Sequence, residues 1–206
     1  MDKYVITIAR GYGSGGRTIG KMLSEQLNIP YYDRELLRLA SDDSGINEEL
    51  FAKADEKLKK SLLFKIARNV YKGELIPPDS DDFVSNDNLF NYQAKIIKEL
   101  AETQSCIIIG RCADFVLKDH KNVIKLFVYA PLEACVDTLQ DMTGNSRKDI
   151  IRQIEKIDKH RAEYYKYYTG RDWNDVNNYD LCLNSSKLGF DKCVEMVKSY
   201  LDIRLR

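Results

Sequence analysis

The sequence has no excess of charge of either sign. Its 206 residues include 32 Lys and Arg and 32 Asp and Glu, so the formal net charge is zero. A chain with this balance has no overall field that would draw it to a nucleic-acid polymer or to an anionic membrane. We therefore expect neither partner, and any anion-binding site must be local.

Long apolar runs and cysteine pairs are also missing. The longest runs, such as residues 106–109, are far shorter than the about 20 apolar residues that span a bilayer. The first residues, MDKYV, do not lead into an apolar segment of signal-peptide length. The cysteines number five, lack C-x-x-C spacing and favour reduced thiols. His120 and His160 lack metal-ligand spacing, and we expect both at the surface. These absences predict a cytoplasmic protein.

Short apolar runs and amphipathic segments alternate along the chain. Apolar, often β-branched runs predict strands at about residues 4–9, 29–32, 106–109, 123–129 and 180–183. Helical spacing predicts helices at about residues 18–27, 34–40, 89–103, 132–142, 147–168 and 190–203. Because strands alternate with helices, we expect a single α/β domain over residues 1–206, with a parallel sheet of about five strands covered on both sides.

The segment between the first two strands and the third is less regular. Residues 46–71 have apolar positions spaced for one buried helix face. Residues 74–90 follow with five acids, two prolines and no Lys or Arg. This composition predicts a mobile loop over residues 74–90.

The glycine loop, residues 10–18 with the sequence RGYGSGGRT, joins a predicted strand to a predicted helix. Glycines allow positive φ and bring backbone N–H groups close to a phosphate, and the helix N-terminus adds positive potential. Read as G-x-x-x-x-G-K-[ST], the loop has Arg17 at the lysine position and Thr18 as a Mg²⁺ ligand. The alternative is a structural glycine turn. The residues predicted to hold phosphate are Gly11, Gly13, Ser14, Gly15, Gly16, Arg17 and Thr18.

A second alignment of the glycine loop starts from the strand. It places residues 13–15 on the G-S-G of a G-S-G-K-[ST] loop, so that Gly16 stands at the lysine position. The lysine is missing in both alignments. Arg17, or Arg10 from the other end of the loop, must then supply the charge against the β and γ phosphates, for which an arginine fork is suited.

A second arginine follows a predicted buried strand. Arg111 comes two residues after residues 106–109, at the edge where open α/β sheets bind ligands. An acceptor phosphate there would meet its guanidinium, whereas the structural alternative is an ion pair with Asp114. Asp33 and Arg34 follow the second strand and are candidates to seat the same acceptor, or else a helix-start cap and its partner.

The most basic stretch of the chain is residues 147–171, with eight Lys or Arg against four Asp or Glu. One interpretation is a lid that lowers Arg161 and Arg171 onto transferring phosphates. The other is a solvated helix with charge pairs four residues apart, which suits most of its other charged residues.

Several motifs together resemble one known group of proteins. They are ITIAR (6–10), GSGGR (13–17), YDRELL (32–37), IIGR (108–111), DKHR (158–161) and YDLCLN (179–184). The residue types and the order of these motifs resemble those of the cytidylate kinase-like family over almost the whole chain. The resemblance implies the P-loop NTPase-type three-layer αβα sandwich of nucleoside monophosphate kinases, with a helical acceptor-side insertion at about 41–91 and a lid at about 147–172.

The resemblance also implies an activity and its residues. It implies ATP, Mg²⁺ and phosphoryl transfer to a nucleoside monophosphate such as CMP or a similar small acceptor. The glycine loop from Gly13 to Thr18 would hold the donor phosphates. The catalytic candidates are Arg17, Arg111 and Arg161; the candidates for acceptor binding are Asp33, Arg34, Arg111 and Arg171. The alternative hypothesis is a nucleotide-binding regulatory module without catalysis, which the missing lysine favours.

Overall fold

A computed structural model describes residues 3–56, 74–80 and 82–205 of the chain. The strands are β1 (Val5–Arg10), β2 (Tyr31–Tyr32), β3 (Cys106–Ile109), β4 (Val123–Tyr129) and β5 (Leu181–Asn184). The helices are α1 (Gly16–Leu27), α2 (Glu35–Ser44), α3 (Glu48–Glu56), α4 (Asn86–Thr103), α5 (Ala113–Val116), α6 (Leu132–Thr143), α7 (Arg147–Thr169) and α8 (Ser185–Arg204).

The strands form one parallel sheet in the order β2-β3-β1-β4-β5. Strand β1 lies at the centre, with Ile8 opposite Ile109 of β3 on one side and Leu126 of β4 on the other. Because all strands run the same way, the carboxyl ends of β1, β3 and β4 meet at one edge. The chain order reverses at β1, which makes its carboxyl end the expected ligand crevice.

The core consists of two apolar layers, one on each face of the sheet. Ile6 and Ile8 pack with Leu23 of α1 and Val194 of α8. Val5 points to the opposite face, where α2, α4, α5 and α7 cover the sheet. Strands covered on both faces explain the nearly continuous apolar runs in the sequence. The predicted three-layer α/β sandwich with five parallel strands is confirmed.

Two helices differ from the sequence prediction. Helix α8 begins at Ser185 instead of residue 190, and Gly189 inside it has a non-helical φ of 74°. This break interrupts the apolar periodicity, so the pattern becomes visible only after it. Helix α5, Ala113–Val116, was not predicted because a single turn is too short to show periodicity.

The acidic segment before α4 is tied to that helix. Ser85 caps α4 by accepting a hydrogen bond from the N–H of Asn88. The buried Asn88 amide accepts from the N–H of Ile76 at 2.8 Å and donates to the carbonyl of Phe83 at 2.7 Å. The segment predicted as a mobile loop is therefore anchored to α4 at Ile76 and Phe83. Of the helix predicted at 46–71, α3 is present, and residues 57–71 lie outside the described residues.

The remaining expectations from composition concern thiols, histidines and membranes. Cys182 is exposed and the other cysteines are buried, all as free thiols. His120 and His160 are partly buried, and each has one buried ring nitrogen without a hydrogen-bond partner in the described part of the chain. Within that part, no helix has both the length and the apolar character needed to cross a bilayer.

Candidate active site

The glycine loop lies at the carboxyl end of the central strand. Strand β1 ends at Arg10, the N–H of Gly11 donates to the carbonyl of Val128 in β4, and α1 begins at Gly16. The loop therefore occupies the crevice where the strand order reverses. This is the position expected for a ligand site in an open parallel sheet.

Ser14 holds the shape of the glycine loop. Its buried hydroxyl donates one bifurcated hydrogen bond to the carbonyls of Gly11 at 2.8 Å and Val128 at 3.0 Å. The hydroxyl of Ser185, at the start of α8, donates to the carbonyl of Ser14 at 2.7 Å. The Ser14 hydroxyl is thus used inside the protein, and its part in a ligand site is to keep the loop in place.

The start of α1 leaves backbone donors open. Gly15 is the N-cap, with φ of 78°, and provides no side-chain cap. A Cβ at Gly15 would collide with the ring of Phe190, so the position requires glycine for both conformation and space. The first N–H groups of a helix have no partner within it and attract anions. Thr18, in the first turn, is exposed.

Several arginines converge on this loop. Arg17 Nε lies 2.8 Å from Asp33 Oδ2, and Arg111 Nε donates to the Asp33 carbonyl at 3.1 Å. Arg161 Nη1 donates to the carbonyl of Arg10 at 2.9 Å. We call Arg10, Arg17, Arg111 and Arg161 the arginine cluster. Asp33 joins two of its members from the end of β2.

Arg111 is held in an unusual backbone conformation. Gly110, Arg111 and Cys112 have φ of 70°, 56° and 53°, three left-handed residues in a row after β3. Left-handed backbone costs about 1–2 kcal/mol for a non-glycine residue. Arg111 Nη1 donates to Gln93 Oε1 at 3.0 Å, and the Asp114 carboxylate of the structural alternative accepts from the Tyr165 hydroxyl. Strain of this kind is typical of functional sites.

Asp158, which is not among the predicted site residues, connects α7 to the glycine loop. Its two carboxylate oxygens accept from the N–H of Tyr12 at 2.8 and 3.1 Å, and Oδ1 accepts from Arg161 Nη1 at 3.0 Å. Burial raises the pKa of Asp158, and the Arg161 charge opposes that rise. Its position three residues before Arg161 was the available signal, because residues three apart share a helix face.

Two predicted residues, Arg171 and Arg34, are not joined to the arginine cluster by a hydrogen bond or ion pair within the described part of the chain. Arg171 follows the end of α7, with its guanidinium carbon 5.3 Å from the centre of the Phe115 ring. The end of α7 at Thr169 is about 12 Å along the helix axis from Arg161. Arg34 is exposed at the start of α2 and makes no side-chain cap. The capping interpretation of Asp33 and Arg34 is wrong, because the Asp33 carboxylate pairs with Arg17 instead.

Asp114, three residues after Arg111, carries a buried carboxyl group. It accepts a hydrogen bond of 2.6 Å from the Tyr165 hydroxyl. Burial raises the pKa of Asp114, and the Tyr165 hydrogen bond opposes that rise. Because the folded pKa lies above the unfolded one, the folded state binds more protons between these two values, and the free energy of unfolding falls as pH rises through that window.

Tyr165→Phe should lower the free energy of unfolding at pH 7 by about 1–3 kcal/mol, because the buried Asp114 carboxylate loses its donor. Urea unfolding at pH 7 and pH 4 measures the effect, and the loss should be smaller at pH 4, where the carboxyl group holds its proton more fully. Tyr167→Phe is the matched control, because its hydroxyl bonds to the less buried Asp87. Equal losses in the two variants would contradict this account.

Comparison with known proteins agrees with this geometry. The sequence profile of the cytidylate kinase-like family matches residues 5–187. A cytidylate kinase of Methanopyrus kandleri is 26% identical, covering 96% of this chain and 93% of that protein. One of Pyrococcus horikoshii is 24% identical, covering 98% and 90%.

Solved structures show the same fold. An uncharacterized protein from Eubacterium ventriosum has 25% identity and a TM-score of 0.70, covering 97% of this chain and 99% of that one. Shikimate kinase from Bacteroides thetaiotaomicron has a TM-score of 0.55 at 14% identity, covering 97% and 98%, and supports the fold alone. The chain belongs to the cytidylate kinase-like family, which confirms the predicted family and the P-loop kinase class.

Proposed function

We propose that this protein transfers the γ-phosphoryl group of ATP, bound with Mg²⁺, to a nucleoside monophosphate such as CMP. The observation that carries the proposal is the arginine cluster around the glycine loop at the carboxyl edge of the sheet. Phosphoryl transfer requires positioning and stabilisation of negative charge, with little covalent chemistry by the protein. Backbone N–H groups and several guanidinium groups at one crevice meet that requirement.

The two substrates would approach the cluster from different elements. In this proposal the glycine loop and α1 bind the donor phosphates, while Asp33, Arg34 and Arg111 at the ends of β2 and β3 bind the acceptor. Arg17 joins the two sides, because it begins on α1 and reaches Asp33. Its guanidinium would therefore meet the phosphoryl group in transit. Arg171, with its contacts at Phe115, would act only on an acceptor that extends along α7.

Arg161 would act from the lid helix α7. Its side chain is mostly buried and already touches the loop through the carbonyl of Arg10. Burial lowers the pKa of Arg161, and the neighbouring Asp158 opposes that change. A guanidinium held in this way can stabilise charge on the transferred phosphoryl group without further rearrangement.

The chain offers oxygen ligands for the Mg²⁺ that accompanies ATP. The Thr18 hydroxyl is exposed in the first turn of α1, and the Asp33 carboxylate lies at the end of β2. No group of three or more His, Cys, Asp or Glu suited to a metal ion occurs in the described residues. A magnesium ion carried by phosphates needs only one or two protein ligands, so Thr18 fits that role.

A panel of nucleoside monophosphates tests the proposal. The protein is incubated with ATP and Mg²⁺ and each acceptor, and ADP and nucleoside diphosphate are measured, with acceptor-free and EDTA-treated samples as controls. We expect acceptor-dependent and magnesium-dependent transfer. Nucleotide binding without transfer to any acceptor would instead support a regulatory module, which the glycine at position 16 favours.

Arg17→Ala should lower kcat/KM about tenfold while changing the free energy of unfolding by less than about 1 kcal/mol. The Arg17 side chain is 49% exposed, so its pair with Asp33 contributes little to stability. Steady-state kinetics and urea unfolding of the same preparation measure both quantities. Unchanged transfer would show that Arg17 does not meet the phosphates.

A further inference from the structure

Arg10 and Gly16 compete for the same space. A Cβ built on Gly16 would lie 2.5 Å from the Arg10 Cβ and 3.0 Å from its Cγ. Gly16 is the first residue of α1, where any side chain can adopt the backbone conformation. Glycine at position 16 is therefore explained by the Arg10 side chain, which fills the place that a residue-16 side chain would take.

The Arg10 guanidinium extends to the edge where ligands bind. A Cβ on Gly110 would collide with Arg10 Nη1, so the guanidinium lies against the turn after β3, next to Arg111. The Nε atom is buried and has no hydrogen-bond partner among the residues that the structure describes. A buried donor without an acceptor is costly to keep, and such groups are uncommon in native proteins.

The surroundings of Arg10 favour an anion. Burial and the charge of Arg161 lower the pKa of Arg10 to about 9, with Arg17 and Arg111 acting in the same direction and Asp33 in the opposite one. A cation placed among three others gains most when a multiply charged anion joins them. The glycine loop, whose Gly16 lies against the Arg10 side chain, is suited to phosphate.

We infer that Arg10 is the cation that binds the β and γ phosphates of the donor, in place of a lysine at position 16. This inference rests on the proposed function for the identity of the anion. The positive charge is then supplied by the last residue of β1 instead of the first residue of α1. Arg17, which pairs with Asp33, is thereby left to meet the phosphoryl group in transit between the donor and the acceptor.

A charge-swap series tests the inference. The variants are Arg10→Met, Gly16→Lys and the double variant Arg10→Gly with Gly16→Lys, with Arg38→Met as a control on an exposed arginine that pairs with Asp42. Calorimetric titration with MgATP and kinase assays are run on each. Arg10→Met should weaken MgATP binding about 10- to 100-fold, because a charged hydrogen-bond donor is lost.

The other variants test whether the Arg10 side chain and a side chain at position 16 compete for the same space. Gly16→Lys alone should bind MgATP poorly and melt at a lower temperature, because two side chains meet in one place. The double variant should bind MgATP within about tenfold of the parent protein, because lysine is a suitable phosphate cation. Arg38→Met should bind as the parent does. Arg10→Met should melt at the same or a higher temperature, because it removes a buried unpaired donor.

The outcomes separate this inference from the proposed function. If the parent protein binds MgATP without transferring phosphate, the proposed kinase activity is contradicted. The comparison of MgATP binding among the variants still tests the role of Arg10. Full MgATP affinity in Arg10→Met, or a double variant that binds no better than Gly16→Lys, overturns the role of Arg10. If Arg10→Met unfolds, Arg10→Lys takes its place. Arg10→Lys keeps the positive charge but lacks the two-pronged guanidinium, so it should bind MgATP more weakly than the parent. Parental MgATP affinity in Arg10→Lys would overturn the role of the guanidinium geometry. Absence of MgATP binding by the parent overturns both.

Discussion

Arg161→Ala should lower kcat about a thousandfold, the lower end of the range for arginines that stabilise a phosphoryl transition state. The side chain is mostly buried and lies on the glycine loop, so it reaches the region where charge develops. The affinity for MgATP should change much less, because the interaction is strongest in the transition state. Steady-state kcat and a calorimetric dissociation constant for MgATP measure the two effects.

Two controls separate catalysis by Arg161 from support of the fold. Arg152→Ala removes an arginine from the same helix whose side chain is 67% exposed, and kcat should not change. Added guanidinium ion should restore part of the kcat of Arg161→Ala, which a purely structural loss would not allow. An Arg161→Ala enzyme with parental kcat would show that α7 supplies no catalytic charge.

Arg111→Asn should raise the KM for the acceptor about 10- to 100-fold, because a charged contact to its phosphate is lost. Asparagine is chosen because it tolerates the left-handed φ of 56° at this position better than most residues. The substitution therefore removes the guanidinium without forcing a new turn after β3. Kinetics with varied acceptor at saturating ATP, and varied ATP at saturating acceptor, measure the two KM values.

The role of Arg111 is decided by which of the two KM values increases, that for the acceptor or that for ATP. An increase confined to the acceptor agrees with the contact between Arg111 and Asp33 at the ends of β2 and β3. An increase confined to ATP would place Arg111 on the donor side and contradict the proposal. Arg38→Asn, on the exposed face of α2, should leave both KM values unchanged.

Much of the fold could be predicted from local sequence patterns. The apolar runs of β1, β3 and β4 identify strands covered on both faces, and helical periodicity located α1, α4, α6 and α7 to within a few residues. Elements without periodicity were missed or shifted. Helix α5 is one turn long, and α8 contains the break at Gly189.

The candidate site was predictable in part. The glycine loop and the arginine after β3 were identified because both directly follow buried strands. Asp158 was missed, and Arg171 was grouped with Arg161 although its contacts lie at Phe115 and Asn178. Residues on one long helix share a sequence segment, but only their position along the axis decides which of them reach the loop.

By itself, the sequence determined that a buried strand runs into a bare glycine turn and a helix, because backbone conformation and apolar spacing are local properties. Only the tertiary structure decided which arginines meet there. Arg10 excludes a side chain at position 16, and Arg17 is drawn to Asp33. The approach of Arg111 and Arg161 to the same region depends on β3 lying beside β1 and on α7 reaching back to the loop, and such long-range adjacency has no local signature.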